Sequence, residues 1–389
     1  MVGRPRVRLC RLLTFTALLL LLINCGSWFT GLQTVAQDNL SKAANKESVP
    51  IQGSFSTKSE TSSIFTQEAS SSIFTQEANS SIFTQEASSS IFSQEADFRV
   101  IVITFNRPQS LRKLLATIDN IELDGDEGCL EIWIDRNKQN EIDNETVEVA
   151  NSFRWKQGPT KVYIQKEHAG IYGQWIETWK PQSEDTKEIA LILEDDLSVS
   201  KYVYRWLKAV HRFYGPSKDF AGATLQTDEV FSHDSSHAHI KAQKNETVFM
   251  YKCIGTWGFS PKASVWRSFE DWFSIHIKQP DFHPYVPGIV PTEWYKKSEK
   301  TGTADSMWEM WFIYFAYQEK LFTLYSNLNE YNNDGTSCLS INRREVGLHY
   351  HSKGREDYCK LLNTWRPDFI NFSTNITKLD WTGEAIQEY

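Results

Sequence analysis

The sequence has no Cys-x-x-Cys pair and no stripe of basic residues beyond residues 1–11. Without paired cysteines, it gives no support to a structural zinc site of the thiolate kind. A basic stripe would be needed to neutralise a phosphate backbone, whereas this chain has a formal net charge of -8 and a pI near 5.7. The missing basic stripe and the negative net charge argue against a nucleic-acid partner.

Charge is also missing between Leu12 and Leu32, a stretch that contains five consecutive leucines. It has about the 20 residues that a bilayer-spanning helix requires. Four arginines precede it and would keep the tail of residues 1–11 in the cytoplasm. The pattern predicts a transmembrane signal anchor at residues 12–32, with the rest of the chain in the lumen of the secretory pathway. A cleaved signal peptide is the alternative, because Cys25, Gly26 and Ser27 offer small residues to a peptidase.

Residues 33–96 are rich in Ser, Thr, Gln and Glu, and they contain four near-identical copies of a nonapeptide that start at Ser62, Ser71, Ser80 and Ser89. Each copy has one Ile-Phe pair, which is too little apolar surface for a core. The segment is therefore predicted to be a low-complexity stalk suited to O-glycosylation. A β-solenoid is the alternative for such a period, but the glycines and aspartates of solenoid repeats are missing.

Residues 97–389 show no internal linker and are predicted to form one lumenal domain, large enough for an enzyme. Short apolar runs typical of buried strands alternate with helical spacing of apolar residues. The predicted strands are 98–105, 130–134, 161–164 and 189–193, and the predicted helices are 108–118, 145–155, 171–179 and 203–213. In the last helix Phe213 is expected to face the core with Val203, Trp206, Leu207 and Val210. This order predicts an α/β fold with a mostly parallel central sheet and a ligand crevice at the strand ends.

Cysteines and sequons both fit an oxidising, lumenal environment. Four cysteines beyond the anchor predict two disulfides, and spacing leaves all three pairings open among Cys129, Cys253, Cys338 and Cys359. Six Asn-x-Ser/Thr sequons are candidate surface sites of N-glycosylation, at Asn39, Asn79, Asn144, Asn245, Asn371 and Asn375.

Three consecutive acids, Glu194, Asp195 and Asp196, directly follow the apolar run Ile189–Leu193. In an extended chain their side chains would alternate, so that the trio could contact two different ligands. A hard divalent metal and the sugar hydroxyls of a nucleotide are one natural pair. The alternative is that the acids only cap a strand where it meets water.

Two segments carry a resemblance to a known family. The run from Val102 to Pro108 resembles the first strand and turn of metal-dependent GT-A glycosyltransferases, and the run from Leu193 to Leu197 resembles their acidic metal motif. The Glu-Asp-Asp form is similar to that of the Golgi N-acetylglucosaminyltransferases that act on mannose. The layout of tail, span, stalk and lumenal domain is also similar to that of Golgi type II glycosyltransferases.

This resemblance implies a GT-A fold and roles for particular residues. It implies that Asp196 binds Mn²⁺ or Mg²⁺, that Asp195 contacts the ribose and that Glu194 lies near the donor sugar. The ends of the first two strands would hold the nucleotide base, which nominates Asn106, Arg107 and Asp135. The resemblance also implies a late histidine that ligates the metal, for which His349 is the candidate, with His351 as the alternative.

An acceptor-activating base is expected in the second half of the chain. The aromatic run Ala304–Leu321 is predicted to be a buried helix that places Asp305 and Glu309 on one face. Apolar surroundings would raise their pKa values and suit base catalysis. By contrast, His233, His237 and His239 lie in a polar stretch and are interpreted as parts of a solvated loop.

Together these features predict a single-pass type II enzyme of the Golgi membrane. It would move a sugar from a UDP-sugar to a glycan or glycoprotein acceptor with Mn²⁺ or Mg²⁺. UDP-N-acetylglucosamine is the candidate donor, and inversion is the preferred stereochemistry. Two other functions stay open: a catalytically silent, glycan-binding relative with the same fold, and a lumenal metal-dependent hydrolase. The identity of the donor sugar, the linkage and the oligomeric state do not follow from the sequence.

Overall fold

The structure is a computed structural model that describes residues 96–227, 230–236, 238–240, 244–333, 336–346 and 359–387. These residues belong to one compact unit, Ser88–Tyr389. The predicted tail, the signal anchor at 12–32 and the stalk up to residue 95 lie outside the described residues. Within the described ranges, no helix has the length and apolar character needed to cross a bilayer.

The first half of the described chain alternates strands and helices, as the apolar pattern predicts. The strands are β1 (Phe98–Thr104), β2 (Gly128–Ile134), β3 (Thr160–Ile164) and β4 (Ile189–Glu194). The helices are α1 (Pro108–Ile118), α2 (Asn144–Ser152) and α3 (Gly170–Ile176). Pro108 suits the first turn of α1, because a missing backbone N–H costs nothing there. The side chain of Asp143 accepts a hydrogen bond from the backbone of Thr146 and caps α2.

The second half adds shorter strands and longer connections. The strands are β5 (Leu197–Val199), β6 (Phe220–Thr224), β7 (Val248–Tyr251), β8 (Phe259–Pro261), β9 (Phe322–Ser326), β10 (Ser340–Asn342) and β11 (Lys378–Leu379). The helices are α4 (Val203–Tyr214), α5 (Ala263–His276), α6 (Val290–Thr301), α7 (Glu309–Gln318) and α8 (Leu328–Asn332). Two 3₁₀ turns lie at Ala304–Ser306 and Pro367–Ile370.

Nine strands form one mixed sheet in the order β11-β7-β9-β6-β8-β4-β1-β2-β3. Strands β1 to β4 are parallel to one another, and β8 is antiparallel to both β4 and β6. The sheet separates two apolar clusters, one of which contains Val100 and Val102 of β1 and the other Ile101 and Ile103. A strand whose two faces are both covered needs a continuous apolar sequence, and this explains why β1 and β4 are so apolar. The prediction of an α/β fold with a mostly parallel sheet is confirmed.

A separate ribbon supports the acidic segment. Strand β5, which follows the acids, pairs antiparallel with β10, so that Leu197 lies opposite Asn342. Cys338 lies just before β10, and its disulfide with Cys359 links the start of β10 to a later segment of the chain. The late part of the chain is thereby brought to the carboxyl end of β4.

Three sequence-based expectations about packing were wrong. Phe213 is 42% exposed, because the turn of α4 brings Tyr214 inward in its place. The predicted helix at 304–321 is interrupted: a 3₁₀ turn covers Ala304–Ser306, and α7 begins only at Glu309. The four described cysteines form one disulfide instead of two, because Cys129 on β2 and Cys253 after β7 are buried, unpaired and separated by five strands of the sheet.

A buried ion cluster holds the amino ends of β1, β2 and β4 together. The guanidinium of Arg99 contacts Glu131 at 2.5 Å and Glu188 at 2.7 Å, and all three side chains are buried. We expect Arg99→Met to lower the free energy of unfolding by about 3–5 kcal/mol, because it leaves two buried carboxylates without their cation. Urea denaturation at pH 7 measures this, with the exposed Arg112→Met on α1 as the control. A loss below about 1 kcal/mol would contradict the assigned role.

Candidate active site

The three acids lie at the carboxyl end of β4, beside the end of β1, where they border a cavity of about 480 Å³. This acid cavity is also lined by residues from the ends of β1 and β2 and from the start of α3. The predicted site residues that line it are Asn106, Arg107, Asp135, Glu194, Asp195 and Asp196. The structure therefore brings together six side chains that the sequence spreads over about 90 positions.

Asp195 is almost fully buried and is held by two groups from β1 and its turn. The hydroxyl of Thr104 donates to Asp195 Oδ2 at 2.6 Å, and Arg107 forms an ion pair with Oδ1. Burial raises the pKa of Asp195, while the positive charge of Arg107 opposes that rise. Asp195 therefore joins β4 to the turn after β1 and gives this corner of the acid cavity a defined shape.

Asp196 is buried as well, yet one of its oxygens has no protein donor. Its Oδ2 lies 3.3 Å from Nη1 of Arg107, whereas Oδ1 has no hydrogen-bond partner among the described residues. A buried carboxylate oxygen without a partner is costly unless a ligand satisfies it. Because Asp196 lines the acid cavity, this oxygen fits a cation that is bound partly by the protein and partly by an incoming ligand.

No group of three or more His, Cys, Asp or Glu side chains within the described ranges is arranged to hold a metal ion. Carboxylate oxygens suit hard divalent ions such as Mn²⁺ or Mg²⁺, and Oδ1 of Asp196 is an oxygen of this kind on the wall of the acid cavity. His349, the other predicted metal ligand, and His351 lie outside the described residues.

Arg107 and Asp135 contact other protein groups in this structure. Arg107 pairs with Asp195 and Asp196. The carboxylate of Asp135 accepts hydrogen bonds from the backbone N–H groups of Ala169 at 2.8 Å and Gly170 at 2.9 Å. Asp135 thus caps the start of α3. Asn106 is exposed on the wall of the acid cavity.

Arg343 holds in place the acidic turn, which is Glu194, Asp195 and Asp196 at the end of β4. Sequence reasoning missed this arginine. Its guanidinium donates to the backbone carbonyls of Ser110, Asp195 and Leu197, at 2.8 Å and 2.6 Å for the first two. Its backbone N–H donates to the carbonyl of Asp196 at 2.9 Å. Only the pairing of β10 with β5 brings residue 343 here, so no local motif could have identified it.

Glu194 lies at the junction of the acid cavity with a second, smaller cavity of about 240 Å³. The smaller cavity, called here the tryptophan cavity, is lined by Trp257, Trp294 and Trp308. The indole N–H of Trp175 donates to Glu194 Oε1 at 3.0 Å. Burial, and then the charge of Asp196, raises the pKa of Glu194 to about 8.

Glu309 lines the tryptophan cavity at the first turn of α7. The adjacent Trp308 is buried and stacks on Trp175, with ring centroids 4.4 Å apart. Burial raises the pKa of Glu309 to about 7. A carboxyl group that titrates near neutral pH, beside a cavity, has the properties of a general base.

Asp305 is exposed and lines neither the acid cavity nor the tryptophan cavity. The break between the 3₁₀ turn and α7 removes the helical spacing that would have aligned it with Glu309. The predicted pair is therefore reduced to Glu309 within the tryptophan cavity.

The interpretation of His233 as part of a solvated loop was wrong. His233 lines the tryptophan cavity, where its Nδ1 lies 2.7 Å from the hydroxyl of Tyr251 and its Nε2 lies 3.3 Å from Sγ of Cys253. His239 is exposed, and His237 lies outside the described residues. Residues 232–239 are polar except for Ala238, and so nothing in this stretch of sequence indicated that His233 contacts Tyr251 and Cys253.

Comparison with known proteins gave limited matches. Residues 106–282 match the family model described as the SPBC1E8.03c C-terminal domain, which is less than half of the chain. Comparison with curated protein sequences gave no significant match. The matched stretch begins at the turn after β1 and includes the acidic turn and Trp257.

Two similar solved structures are a mannosyltransferase, PcManGT from Pyrobaculum calidifontis in complex with GDP-Man and Mn2+, and S. aureus TarS 1-349 in complex with UDP. The first is 12% identical, with 46% of this chain and 47% of that chain covered and a TM-score of 0.32. The second is 13% identical, with 59% and 60% covered and a TM-score of 0.34. The chain thus spans about half to three fifths of their lengths. Likeness at this level transfers no function.

Proposed function

We propose that this protein is a glycosyltransferase that moves a sugar from a UDP-sugar to a glycan acceptor. The observation that carries the proposal is the junction of two cavities at Glu194. One cavity holds the unpaired carboxylate oxygen of Asp196, and the other holds Glu309 with a pKa raised to about 7. A transferase needs this arrangement, because a donor and an acceptor must meet in one crevice.

The acid cavity would take the nucleotide diphosphate of the donor. Asp196 would hold Mn²⁺ or Mg²⁺, which stabilises the charge of the departing diphosphate as a Lewis acid. Thr104 and Arg107 hold Asp195 at the cavity wall, where its carboxylate can receive a ribose hydroxyl. Asn106 is exposed beside them and is available to the base.

The tryptophan cavity would take the acceptor. Glu309 would remove the proton of an acceptor hydroxyl while the hydroxyl oxygen bonds to the anomeric carbon of the donor sugar. The bond from that carbon to the diphosphate then breaks, and the nucleoside diphosphate leaves with the electron pair. Attack from the side opposite the diphosphate inverts the anomeric carbon. The donor we propose is UDP-N-acetylglucosamine, following the form of the acidic triad.

We further propose that the enzyme is a type II protein of the Golgi membrane, anchored by residues 12–32 with its catalytic domain in the lumen. The support is the uncharged stretch behind a basic tail and the polar stalk that follows it. Protease protection of the full chain in sealed microsomes tests this orientation. Digestion of residues 97–389 without detergent would overturn it.

A panel of nucleotide sugars tests the function. The full chain in detergent is assayed by thermal shift and by nucleotide release, with and without Mn²⁺ and with and without a mixture of acceptor glycans. The proposal expects one UDP-sugar to raise the Tm only with metal, and release that rises with acceptor. Nucleotide release that is equal with and without acceptor glycans would favour the hydrolase. A folded protein that binds glycans but no nucleotide would favour the catalytically silent relative.

Arg343 should act on this site only by positioning the acidic turn. We expect Arg343→Lys to keep the fold and to weaken donor binding about tenfold, because the compact ammonium of lysine cannot reproduce the wide planar fork by which the guanidinium reaches three carbonyls. Arg343 does not line the acid cavity, so the turnover number should change less than KM. The matched control is Arg366→Lys, on the exposed segment before the second 3₁₀ turn. Unchanged donor binding in Arg343→Lys would contradict this role.

A further inference from the structure

The end of α4 presents an exposed aromatic ring. Phe213 is 42% exposed, although it belongs to a helix whose other face is buried. Its ring centroid lies 4.8 Å from that of Tyr214 and 5.6 Å from that of Phe372, and both contacts are edge-to-face. These contacts fix the position of the ring without covering it, which leaves a half-open apolar surface.

A glycosylation sequon lies directly beside this ring. Asn371-Phe372-Ser373 follows the second 3₁₀ turn, and the Asn371 side chain belongs to an exposed residue. The hydroxyl of Tyr214 donates to the carbonyl of Ser373 at 2.9 Å, and the backbone N–H of Asn371 donates to the carbonyl of Asp368 at 3.1 Å. The Ser373 end of the sequon is therefore held against the carboxyl end of α4, and the Asn371 end is held by the preceding 3₁₀ turn.

Two more sequons converge on the same part of the surface. The hydroxyl of Thr377, from the sequon of Asn375, donates to the carboxylate of Glu246, from the sequon of Asn245, at 2.8 Å. Asn245 and Asn375 are both exposed. None of these residues lines the acid cavity or the tryptophan cavity.

We propose that Asn371 carries an N-linked glycan and that the first sugar of this glycan lies on the exposed ring of Phe213. A pyranose has a face of C–H groups, and its contact with the ring removes apolar surface from water. In the modification, the amide nitrogen of Asn371 bonds to the anomeric carbon of a lipid-diphosphate oligosaccharide. The bond from that carbon to the diphosphate breaks, and the amide loses one proton. The proposal rests on the lumenal placement proposed above and not on transferase activity.

The test uses the full chain made in cells with a secretory pathway. Peptide mapping after enzymatic deglycosylation gives the occupancy of each sequon. Thermal unfolding then compares the wild type, N371Q, F213A and the double variant, with N375Q as the neighbouring-sequon control. We expect Asn371 to be occupied and N371Q to lower the Tm by about 2 °C or more. The same substitution should change the Tm much less in the F213A background.

Each other outcome overturns the proposal. Occupancy at Asn245 with none at Asn371 would show a lumenal chain whose sequon is not used. No occupancy at any sequon would remove the lumenal placement as well. Occupancy at Asn371 with an equal Tm loss in both backgrounds would show that the glycan does not contact Phe213. Where F213A does not fold, F213L replaces it, because leucine keeps the apolar anchor without the flat ring.

Discussion

Glu309→Gln is expected to lower the rate of sugar transfer by about 10²- to 10⁴-fold while donor binding stays intact. Glutamine keeps the shape of the side chain but cannot accept the acceptor proton. The measurement is the single-turnover transfer rate with saturating donor, beside a thermal shift with the donor. Asp305→Asn is the matched control, because Asp305 is an exposed acid four residues away that lies outside both cavities.

The pH dependence of transfer gives this prediction a second test. Burial raises the pKa of Glu309 to about 7, so that the carboxylate form needed in a base appears as pH rises through that value. The rate in the wild type should therefore climb between about pH 6 and pH 8, and this limb should vanish in Glu309→Gln. A limb that survives in Glu309→Gln would assign the base to another group, with Glu194 as the first candidate.

Ionisation of Glu309 should lower the free energy of unfolding, although the same ionisation should raise the rate of transfer. The folded-state pKa lies above the unfolded value of 4.5, so the folded protein binds more protons than the unfolded chain between these values. Stability is then lost as pH rises from about 4.5 to 7. Glu309→Gln should remove this loss and raise the Tm at pH 8 relative to the wild type. A lower Tm in the variant at pH 8 would contradict a carboxylate whose ionised form is disfavoured in the folded protein.

Asp196→Asn is expected to abolish metal-dependent nucleotide binding and to reduce transfer by about 10³-fold or more. The carboxamide can still contact Arg107, but it carries no charge and is a weaker ligand for a hard cation than a carboxylate is. Isothermal titration with UDP in the presence of Mn²⁺ measures binding, and Asp271→Asn on α5 is the exposed control. Asp196→Asn with UDP affinity equal to the wild type would separate this residue from the metal.

Sequence alone determined the elements whose signal is local. The apolar runs of β1 and β4, the helical spacing of α1 and the position of Pro108 are properties of a few neighbouring residues. Because parallel strands all end at one edge, the polar residues after β1, β2 and β4 had to meet. This is why the amino-acid pattern was enough to place the three acids at a crevice of the sheet, whereas Asn106 and Asp135 were nominated through the resemblance to GT-A glycosyltransferases.

Tertiary structure decided which of these groups are free to act. Asp135 is engaged by the start of α3 and Arg107 by two acids, whereas Asp196 keeps one oxygen without a partner among the described residues. Such differences depend on segments distant in sequence. The same holds for Arg343, which reaches the acidic turn only through the pairing of β10 with β5.

The second half of the site shows the limit most clearly. An aromatic run has no helical period to reveal where a helix starts, and so the break before Glu309 and the exposure of Asp305 were not predictable. The predictions for His233 and Phe213 were wrong for a related reason, because a local pattern does not show which neighbours a loop or the end of a helix will contact. Sequence determined the sheet and the crevice, because hydrophobic period and strand direction are local. Tertiary contacts decided the pKa values, the burial and the free hydrogen-bonding atoms of the site side chains, because these depend on residues that are distant in sequence.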